Sequence, residues 1–395
     1  MWSDTRPVVE MPRLFERGGD LVNFAGGLPD LTVLPLEAIS AQLARLVKLG
    51  GRIAFQYSTP HVAGALVPAI ADLMEREGAR AVAENLVPTN GSQMGLTAVG
   101  LGLGAPGETI LCQSPAYPGA AAAFRTAGLE LHAAGEDEQG MSAEGLRETV
   151  LRLRAQGRTV RLLYTNPTFQ NPTGATLPVP RRAAILDVCR ELDVLIIEDN
   201  PYGLLSFDGT CTTAFHGLDP EQVVYLGTFS KIFAPGMRCG WIAAPAPAAA
   251  ALRRTTEVLA LSPSALAQAA LAAFHAKSGW SDLIGAYRES YRERCDLMCA
   301  ALERELGPDS PWRWDRPGGG FYVWLRHRDG VDTGKFLEAA AAHGVSYVPG
   351  VHFSIAGEHA HGLRLCFSFA PRARIDEGVA RLAAALSSSD WDGAR

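Results

Sequence analysis

A lysine close to two hydroxyls and an arginine is the first chemically active pattern in the sequence. Lysine is scarce, with four residues in a chain of 395, and Lys231 follows an apolar run and lies near Thr228, Ser230 and Arg238. Hydroxyl and guanidinium groups bind phosphate, and a lysine amine attacks aldehydes. Apolar surroundings lower the pKa of a lysine and so increase the fraction of free amine. The pattern predicts that Lys231 forms a Schiff base with a phosphorylated aldehyde; the alternative is a lysine in a surface loop.

A carboxylate and an amide stand at two other places where chemistry is expected. Asp199 ends an apolar run, where a buried carboxylate needs a cation or hydrogen-bond donors. A protonated pyridine nitrogen meets that need, and the pairing makes the ring an electron sink; a helix cap is the alternative. Asn171 opens an Asn-Pro-Thr-Gly turn, whose Pro172 and Gly174 are explained by the turn itself. The Asn171 amide is left free to point inward.

The elements that position these residues alternate along the middle of the chain. Strands are predicted at 86–91, 109–113, 160–166, 194–199, 223–228 and 239–244, where apolar or β-branched runs end in polar residues. Helices are predicted between them, at 92–103, 116–127, 143–156 and 178–192. This α/β pattern favours a largely parallel sheet, whose ligands bind outside the carboxyl ends of the strands. Lys231, Asp199 and Asn171 all fall at that edge.

The character of the sequence changes near residue 281. A long amphipathic helix is predicted at 282–305, followed by a glycine-rich segment, a further helix and short strands. We therefore expect a large cofactor-binding domain at 41–280 and a smaller α+β domain at 281–395. The N-terminal arm at 1–40 is expected to join the small domain.

Charge, apolar runs and cysteine spacing exclude several classes of function. The 36 Lys and Arg against 42 Asp and Glu give a net charge of −6, which argues against a nucleic-acid partner. The chain has neither a secretory signal nor an apolar run of about 18 residues, so we expect no membrane association and a cytoplasmic location. Seven cysteines without a CxxC pair indicate neither disulfides nor a zinc site. Cys295 and Cys299 share a predicted helix face, but two ligands do not make a site, and no metal is expected.

A glycine pattern at 102–107 matches the G-x-G-x-x-G of dinucleotide-binding proteins. That fingerprint requires a strand before the glycines and a helix after them. In this chain a predicted helix precedes and a predicted strand follows, so the glycines indicate a helix end and a turn. Nicotinamide binding is not expected.

Taken in order, the motifs resemble those of a known enzyme family. They are NPTG (171–174), EDNPYG (198–203) and TFSKIFAPGMRCGW (228–241), together with FAGGLPD (24–30), QYSTPHVAG (56–64), GSQ (91–93) and SPAYPG (114–119). They look like the fold-type I aminotransferases of class I/II, which depend on pyridoxal 5′-phosphate. The match spans about residues 23–370 and is similar to the branch of 2-aminoadipate and kynurenine aminotransferases and of the MocR-type regulators.

The resemblance implies a role for each matching residue. Lys231 would bind the cofactor covalently and move a proton between the substrate Cα and the cofactor C4′. Asp199 would pair with the pyridine nitrogen, while Asn171 and Tyr202 would bond the phenolic oxygen. The remaining implied residues are Ser92, Gln93, Thr228, Ser230 and Arg238 for the phosphate, Tyr117 over the ring, Tyr57 from the neighbouring subunit, and Arg364, Gly27 and Asn171 for the substrate. Arg364 would bind the α-carboxylate.

The implied activity is transfer of an amino group between an L-amino acid and a 2-oxo acid by a ping-pong mechanism, in a homodimer. β-Elimination, decarboxylation or oxidation of an amino acid would use the same residues and stays an alternative. A MocR-type regulator carries a DNA-binding domain ahead of this region, and about 23 residues precede FAGGLPD, too few for one. We expect no nucleic-acid partner.

The segment before residue 20 departs from the resembled branch, in which a helix over the site carries an arginine that recognises the substrate side chain. Prolines and glycines would break such a helix here. We expect an irregular lid in its place. It would offer Arg13 or Arg17 to an acidic side chain, or Glu10 and Glu16 to a basic one; the alternative is an exposed arm whose charges are solvated.

Overall fold

The computed structural model describes residues 20–387. Its strands are β1 (Val22–Asn23), β2 (Leu86–Thr89), β3 (Thr109–Cys112), β4 (Glu130–Ala133), β5 (Glu136–Asp137), β6 (Gly140–Met141), β7 (Val160–Thr165), β8 (Leu195–Asp199), β9 (Val223–Thr228), β10 (Gly240–Ala243), β11 (Trp312–Arg313), β12 (Tyr322–His327), β13 (Val345–Ser346), β14 (Val348–Pro349) and β15 (Gly362–Cys366). Its α-helices are α1 (Leu36–Gly50), α2 (Pro60–Glu75), α3 (Ser92–Leu103), α4 (Pro118–Thr126), α5 (Ala143–Ala155), α6 (Val179–Glu191), α7 (Phe215–Leu218), α8 (Ala246–Ala260), α9 (Ala265–Ser278), α10 (Ser281–Leu306), α11 (Leu337–Ala342) and α12 (Ile375–Ser387).

A seven-stranded sheet in the order β2-β10-β9-β8-β7-β3-β4 forms the centre of the molecule. The pairs from β9 through β8, β7 and β3 to β4 are parallel, whereas β10 is antiparallel to both its neighbours. The β9–β10 connection holds no crossover helix, so the chain returns in the opposite direction. The mainly parallel α/β sheet predicted from the sequence is confirmed.

Helix ends follow from local sequence. The hydroxyls of Thr59, Ser142 and Ser264 each accept a hydrogen bond from a backbone N–H in the first turn of α2, α5 and α9. Helix α3 ends at Leu103, and β3 begins at Thr109, so the glycines at 102–107 lie after a helix and before a strand. This is the order predicted for a helix end and a turn.

A second sheet in the order β11-β12-β15-β14 lies towards the C-terminus and is antiparallel throughout. Helix α10 packs against α12 beside it. Near the other end of the described chain, β1 pairs in parallel with β13. The proposed boundaries at residues 40 and 280 stay predictions.

Burial is continuous through the sheet edge that carries the predicted site. All six residues of β9 are buried, as are the last four of β8. Because side chains alternate between the two faces of a strand, Glu198 and Asp199 point to opposite faces of the sheet. Within residues 20–387 no helix has the length and apolar character to cross a membrane, and no three His, Cys, Asp or Glu side chains are grouped so as to hold a metal ion.

Candidate active site

A helix N-terminus, two hydroxyls and a guanidinium surround one small volume. Ser92 and Gln93 open α3, and the Arg238 guanidinium donates to the Asn90 carbonyl oxygen at 2.9 Å just before that helix. A Cβ at Gly91 would lie 2.8 Å from Nη2 of Arg238, so the approach requires glycine. Backbone N–H groups at a helix N-terminus and a guanidinium both favour an anion.

The hydroxyls come from the turn after β9. Thr228 Oγ1 donates to Ser230 Oγ at 3.0 Å and accepts from the Ser230 backbone N–H at 3.1 Å. Both side chains are buried, and β10 returns beside them because Gly240 pairs with Thr228. Its glycine lets the backbone of β10 approach Ser92, since a Cβ at Gly240 would lie 3.0 Å from Ser92 N. The four groups suited to bind a phosphate, namely the start of α3, the two hydroxyls and the Arg238 guanidinium, therefore lie together at one sheet edge.

Lys231 follows this turn and is partly buried. Its Nζ donates to the Gly27 carbonyl oxygen at 2.8 Å and lies 5.5 Å from the centre of the Phe321 ring. Burial lowers the pKa of Lys231 to about 8, with the nearby Arg364 acting in the same direction. About a tenth of the lysine is therefore free amine at pH 7, a far larger fraction than for an unperturbed lysine.

Asp199, the last residue of β8, holds one carboxylate oxygen without a partner. Its Oδ2 accepts from the Tyr164 hydroxyl at 3.1 Å, while the buried Oδ1 has no hydrogen-bond partner. Burial raises the pKa of Asp199 to about 7, against the opposing effects of Tyr164 and Lys231. A cationic group next to Oδ1 would hold this carboxyl in its charged form.

Glu198, on the other face, has its oxygens engaged in the protein. They accept from the backbone N–H groups of Phe215 and His216, both at 2.9 Å, and Oε1 lies 3.7 Å from Arg182. Of these two adjacent acids, Asp199 is the one with a free buried oxygen.

Asn166 ties two predicted site residues together. Its Nδ2 donates to the Asp199 carbonyl oxygen at 2.6 Å, and its Oδ1 accepts from the Asn171 backbone N–H at 2.7 Å. All three residues are buried. The side chain of Asn166 thus fixes the spacing between the end of β8 and the Asn-Pro-Thr-Gly turn.

Arg364 lies on β15, a strand of the second, four-stranded sheet, and its side chain extends into the site. Its Nη1 donates to Asn171 Oδ1 at 2.8 Å and its Nη2 to the Ala25 carbonyl oxygen at 2.6 Å. The buried Nε has no hydrogen-bond partner. Because a guanidinium only donates, Asn171 Oδ1 must face Arg364, and the Asn171 Nδ2 donor points elsewhere.

Two tyrosines and a glycine close the space beside Arg364. The hydroxyls of Tyr202 and Tyr322 lie 3.0 Å apart, and the Arg364 guanidinium carbon lies 4.4 Å from the centre of the Tyr322 ring. A Cβ at Gly27 would lie 2.4 Å from the Tyr322 hydroxyl. Gly27 is thus close to both the lysine and the tyrosine pair.

Tyr117 stands at the start of α4, across from α3. Its hydroxyl donates to Gln93 Oε1 at 3.1 Å, and Gln93 Nε2 donates to the Gly119 carbonyl oxygen at 2.7 Å. Tyr117 and Gln93 are therefore held together, next to the helix start that carries Ser92.

The predicted residue Tyr57 is placed on the surface, with 67% of it exposed. Arg13, Arg17, Glu10 and Glu16 lie outside the described residues, and so does the lid that they would form.

Sequence reasoning missed the roles of Tyr164, Asn166 and Tyr322. Asn166 was recognisable as a polar residue at the end of a strand, but its two partners are set by the tertiary structure. Tyr164 lies two residues earlier on β7, where strand alternation places it on the same face. Tyr322 follows a glycine run, with no signal of its own.

The arrangement fits pyridoxal 5′-phosphate. The cofactor has a phosphate, an aldehyde and a basic ring nitrogen, and the site offers an anion-binding helix start with Arg238, a free amine and a carboxylate with an unpartnered oxygen. The unpartnered Nε of Arg364 is a further donor, suited to a carboxylate.

Comparison with known proteins agrees with this geometry. Residues 20–382 match the family model of aminotransferase class I and II. This chain belongs to that family. Aromatic-amino-acid aminotransferase 1 of Thermococcus litoralis is 36% identical to it over 95% of this chain and 89% of the relative, and the 2-aminoadipate transaminase of Thermus thermophilus is 33% identical over 95% and 92%.

A solved structure of Pyrococcus horikoshii kynurenine aminotransferase, in complex with PMP, superposes with a TM-score of 0.87 at 32% identity, covering 93% of this chain and 91% of that one. The chain is thus a fold-type I aminotransferase that depends on pyridoxal 5′-phosphate. It moves an amino group between an amino acid and a 2-oxo acid by a ping-pong mechanism. The resemblance stated from the motifs is confirmed.

Proposed function

We propose that the residues converging on the sheet edge divide the work of this transamination among them. When bound, the cofactor supplies the aldehyde that takes up the amino group and a conjugated ring that stabilises negative charge at the substrate Cα. Lys231 attaches the cofactor and, once released, moves the proton to and from Cα. The pKa of Lys231, lowered to about 8, supports a role as a base near neutral pH.

Asp199 is proposed to hold a proton on the ring nitrogen. The observation that carries this role is its buried Oδ1, which has no partner in the protein. A carboxylate in such surroundings stabilises an adjacent cation strongly, because water does not screen the pair. Tyr164, bonded to the other oxygen, fixes the direction in which the carboxylate faces.

Arg364 is proposed to bind the substrate α-carboxylate. Its guanidinium has an unpartnered Nε, and its bond to Asn171 Oδ1 holds the group in place. The same bond leaves Asn171 Nδ2 as a donor for the phenolic oxygen of the cofactor, with Tyr202 as the second donor. Arg364 thereby orients both the substrate and Asn171.

The phosphate is proposed to lie at the start of α3. Its ligands would be Ser92, Gln93, Thr228, Ser230 and Arg238, with Tyr117 covering the ring. The close approach of Arg238 to Gly91 supports this placement, because it brings a guanidinium to the positive end of the helix.

We further propose a homodimer in which Tyr57 completes the site of the neighbouring subunit. Tyr57 is 67% exposed and Val258 is 87% exposed. The segment that carries Tyr57 and the segment that carries Val258 are joined by a hydrogen bond of 3.2 Å from Ser58 N to Ser262 Oγ. Leu49, Phe55 and Leu261 are also exposed apolar residues on these segments. An exposed apolar face of this kind supports burial by a second copy, which would bring Tyr57 to the other site.

The cytoplasmic location is proposed from the cysteines. All seven are free, and the sulfurs of Cys295 and Cys299 lie 4.0 Å apart without a disulfide. Unpaired cysteines are typical of reducing compartments.

The substitution Asp199→Asn tests the central role. The amide cannot keep the ring nitrogen protonated, so we expect turnover to fall by a factor of about 10³ or more while borohydride still fixes the cofactor to Lys231. Glu198→Gln is the matched control, because it removes the neighbouring buried carboxylate that faces away from the site. Rates are normalised to bound cofactor. An Asp199→Asn enzyme retaining more than about a tenth of the wild-type rate would remove Asp199 from this role.

A further inference from the structure

A pair of tyrosine hydroxyls lies beside the proposed cofactor site. The oxygens of Tyr202 and Tyr322 are 3.0 Å apart, and both side chains are buried. Burial raises the pKa of Tyr322 to about 12 and that of Tyr202 well above its usual value. Both hydroxyls therefore keep their protons near neutral pH, and either one can donate the hydrogen bond between them.

The direction of this hydrogen bond is fixed once Tyr202 donates to an acceptor. A phenol hydroxyl has one proton to donate and lone pairs with which to accept. When Tyr202 donates a hydrogen bond to the phenolic oxygen of the cofactor, its own oxygen can only accept one from Tyr322. The result is a chain in which Tyr322 donates to Tyr202 and Tyr202 donates to the cofactor, and bonds in such a chain polarise one another.

We propose that Tyr322 is a positioning residue that acts through Tyr202 to stabilise negative charge on the phenolic oxygen of the cofactor. The inference rests on the role proposed for Tyr202. Tyr322 strengthens Tyr202 as a donor and holds its hydroxyl in one orientation. The electronic state of the cofactor is thus set by a residue one step further from it.

The surroundings of the Tyr322 hydroxyl place it within the reaction site. A Cβ at Gly27 would lie 2.4 Å from this hydroxyl, so the hydroxyl occupies room that only a glycine leaves open. The Gly27 carbonyl oxygen accepts from Lys231 Nζ at 2.8 Å. The hydroxyl pair and the reactive lysine therefore meet at the same backbone segment.

The ring of Tyr322 has a separate contact. Its face lies 4.4 Å from the Arg364 guanidinium carbon, a cation–π arrangement that supports the arginine proposed to bind the substrate. Removing the hydroxyl alone leaves this contact in place. The effects of the hydroxyl and of the ring can therefore be measured apart.

Tyr322→Phe tests the proposal by removing one oxygen atom. The readout is the pH midpoint of the absorbance change of the cofactor bound to the holoenzyme. Without the Tyr322 hydroxyl, Tyr202 donates a weaker hydrogen bond, so the phenolic oxygen of the cofactor carries more negative charge. The nitrogen through which Lys231 is attached to the cofactor then keeps its proton to higher pH. We expect the midpoint to rise by about 0.3–1 pH unit and kcat to fall about two- to tenfold. KM for the amino acid should stay unchanged, because the ring still covers Arg364.

Tyr347→Phe is the matched control. Tyr347 is a buried tyrosine whose hydroxyl donates to the Thr333 carbonyl oxygen at 2.5 Å, so the control also removes a buried hydrogen-bonded hydroxyl. Its midpoint should equal that of the wild type. A shift as large in Tyr347→Phe as in Tyr322→Phe would overturn the proposal, because it would reveal a general response to lost buried hydroxyls.

Tyr202→Phe and the double variant separate this inference from the function on which it rests. Tyr202→Phe should raise the midpoint further than Tyr322→Phe, and the double variant should match Tyr202→Phe alone. A shift in Tyr202→Phe with none in Tyr322→Phe would overturn the role of Tyr322 and leave that of Tyr202 intact. No shift in either variant would refute both roles. Additive shifts would overturn transmission through Tyr202.

Discussion

Lys231 is held between a backbone carbonyl and an aromatic ring, surroundings that set its chemistry before any cofactor arrives. The Gly27 carbonyl oxygen accepts a hydrogen bond from Lys231 Nζ at 2.8 Å, and Nζ lies 5.5 Å from the centre of the Phe321 ring. Burial disfavours the ammonium form and is the largest effect on the pKa of Lys231, exceeding the opposing effect of the Asp199 carboxylate. The lowered pKa favours attack of Lys231 on an aldehyde, and without cofactor its Nζ is hydrogen-bonded to the protein.

The lowered pKa of Lys231 predicts how cofactor attachment depends on pH. The pKa of Lys231 is about 8, and below that pH each decrease of one pH unit removes about nine-tenths of the remaining free amine. The rate of cofactor attachment to apoenzyme should therefore rise with pH and level off above pH 8. The measurement is the amount of borohydride-fixed cofactor per chain after short mixing times. Lys277→Ala serves as a control and should follow the wild type. A rate that keeps rising to about pH 10 would indicate an unperturbed lysine.

At the residue scale, sequence patterns located the groups proposed to react and missed those proposed to support them. Lys231, Asp199 and Asn171 were recognisable because chemistry constrains their type and their neighbours in sequence. Tyr322 acts through Tyr202, 120 residues away along the chain, and Asn166 contacts Asp199, 33 residues away, as well as the nearer Asn171. No local pattern encodes such contacts, because they depend on which strands lie side by side.

At the scale of elements, β8 shows how strand alternation separates two acids. Asp199 faces the site, and Glu198 faces the opposite side, where its oxygens accept from the backbone at the start of α7. The predicted strands of the central sheet and the helices between them lie within two residues of their observed ends, and α3 was predicted at 92–103, the bounds it has, but the edge strand β4 was not predicted. The antiparallel direction of β10 was not predicted, since strand direction depends on the path of the connection and not on the composition of the strand.

Asn166 joins the end of β7 to β8 and to the turn at Asn171, and Asn166→Ala removes both bonds. The Asp199 carbonyl oxygen and the Asn171 N–H would then be buried without partners, so we expect the free energy of unfolding to fall by about 1–3 kcal/mol. Denaturant unfolding of the holoenzyme checks this. Stability equal to that of the wild type would mean that water or a shifted backbone satisfies both groups.

At the scale of the whole molecule, the exposed apolar residues around Tyr57 and Val258 form the surface proposed for the homodimer. Val258→Asp would place a charge at the most exposed of these positions, and a buried unpaired charge weakens an interface strongly. We expect the dimer dissociation constant to rise about 100-fold or more and activity to fall as the subunits separate.

Sedimentation velocity over a range of concentrations, with activity measured in parallel, tests this association. Leu151→Asp is the matched control, because Leu151 is a half-exposed apolar residue on α5, away from these segments. It should stay dimeric. A wild-type chain that is monomeric and fully active would contradict both the dimer and the role of Tyr57.

The contacts of Arg364 also bear on the order in which the molecule assembles. Its two bonded partners, Asn171 and Ala25, lie 193 and 339 residues away in the sequence. Closing loops of this length costs chain entropy that local helices and hairpins do not incur, so we expect these contacts to form late in folding. Secondary structure can therefore be nearly complete in a refolding chain that has no active site. The return of transaminase activity during refolding therefore reports when Arg364 and Ala25, near the two ends of the chain, come together with Asn171 in its middle.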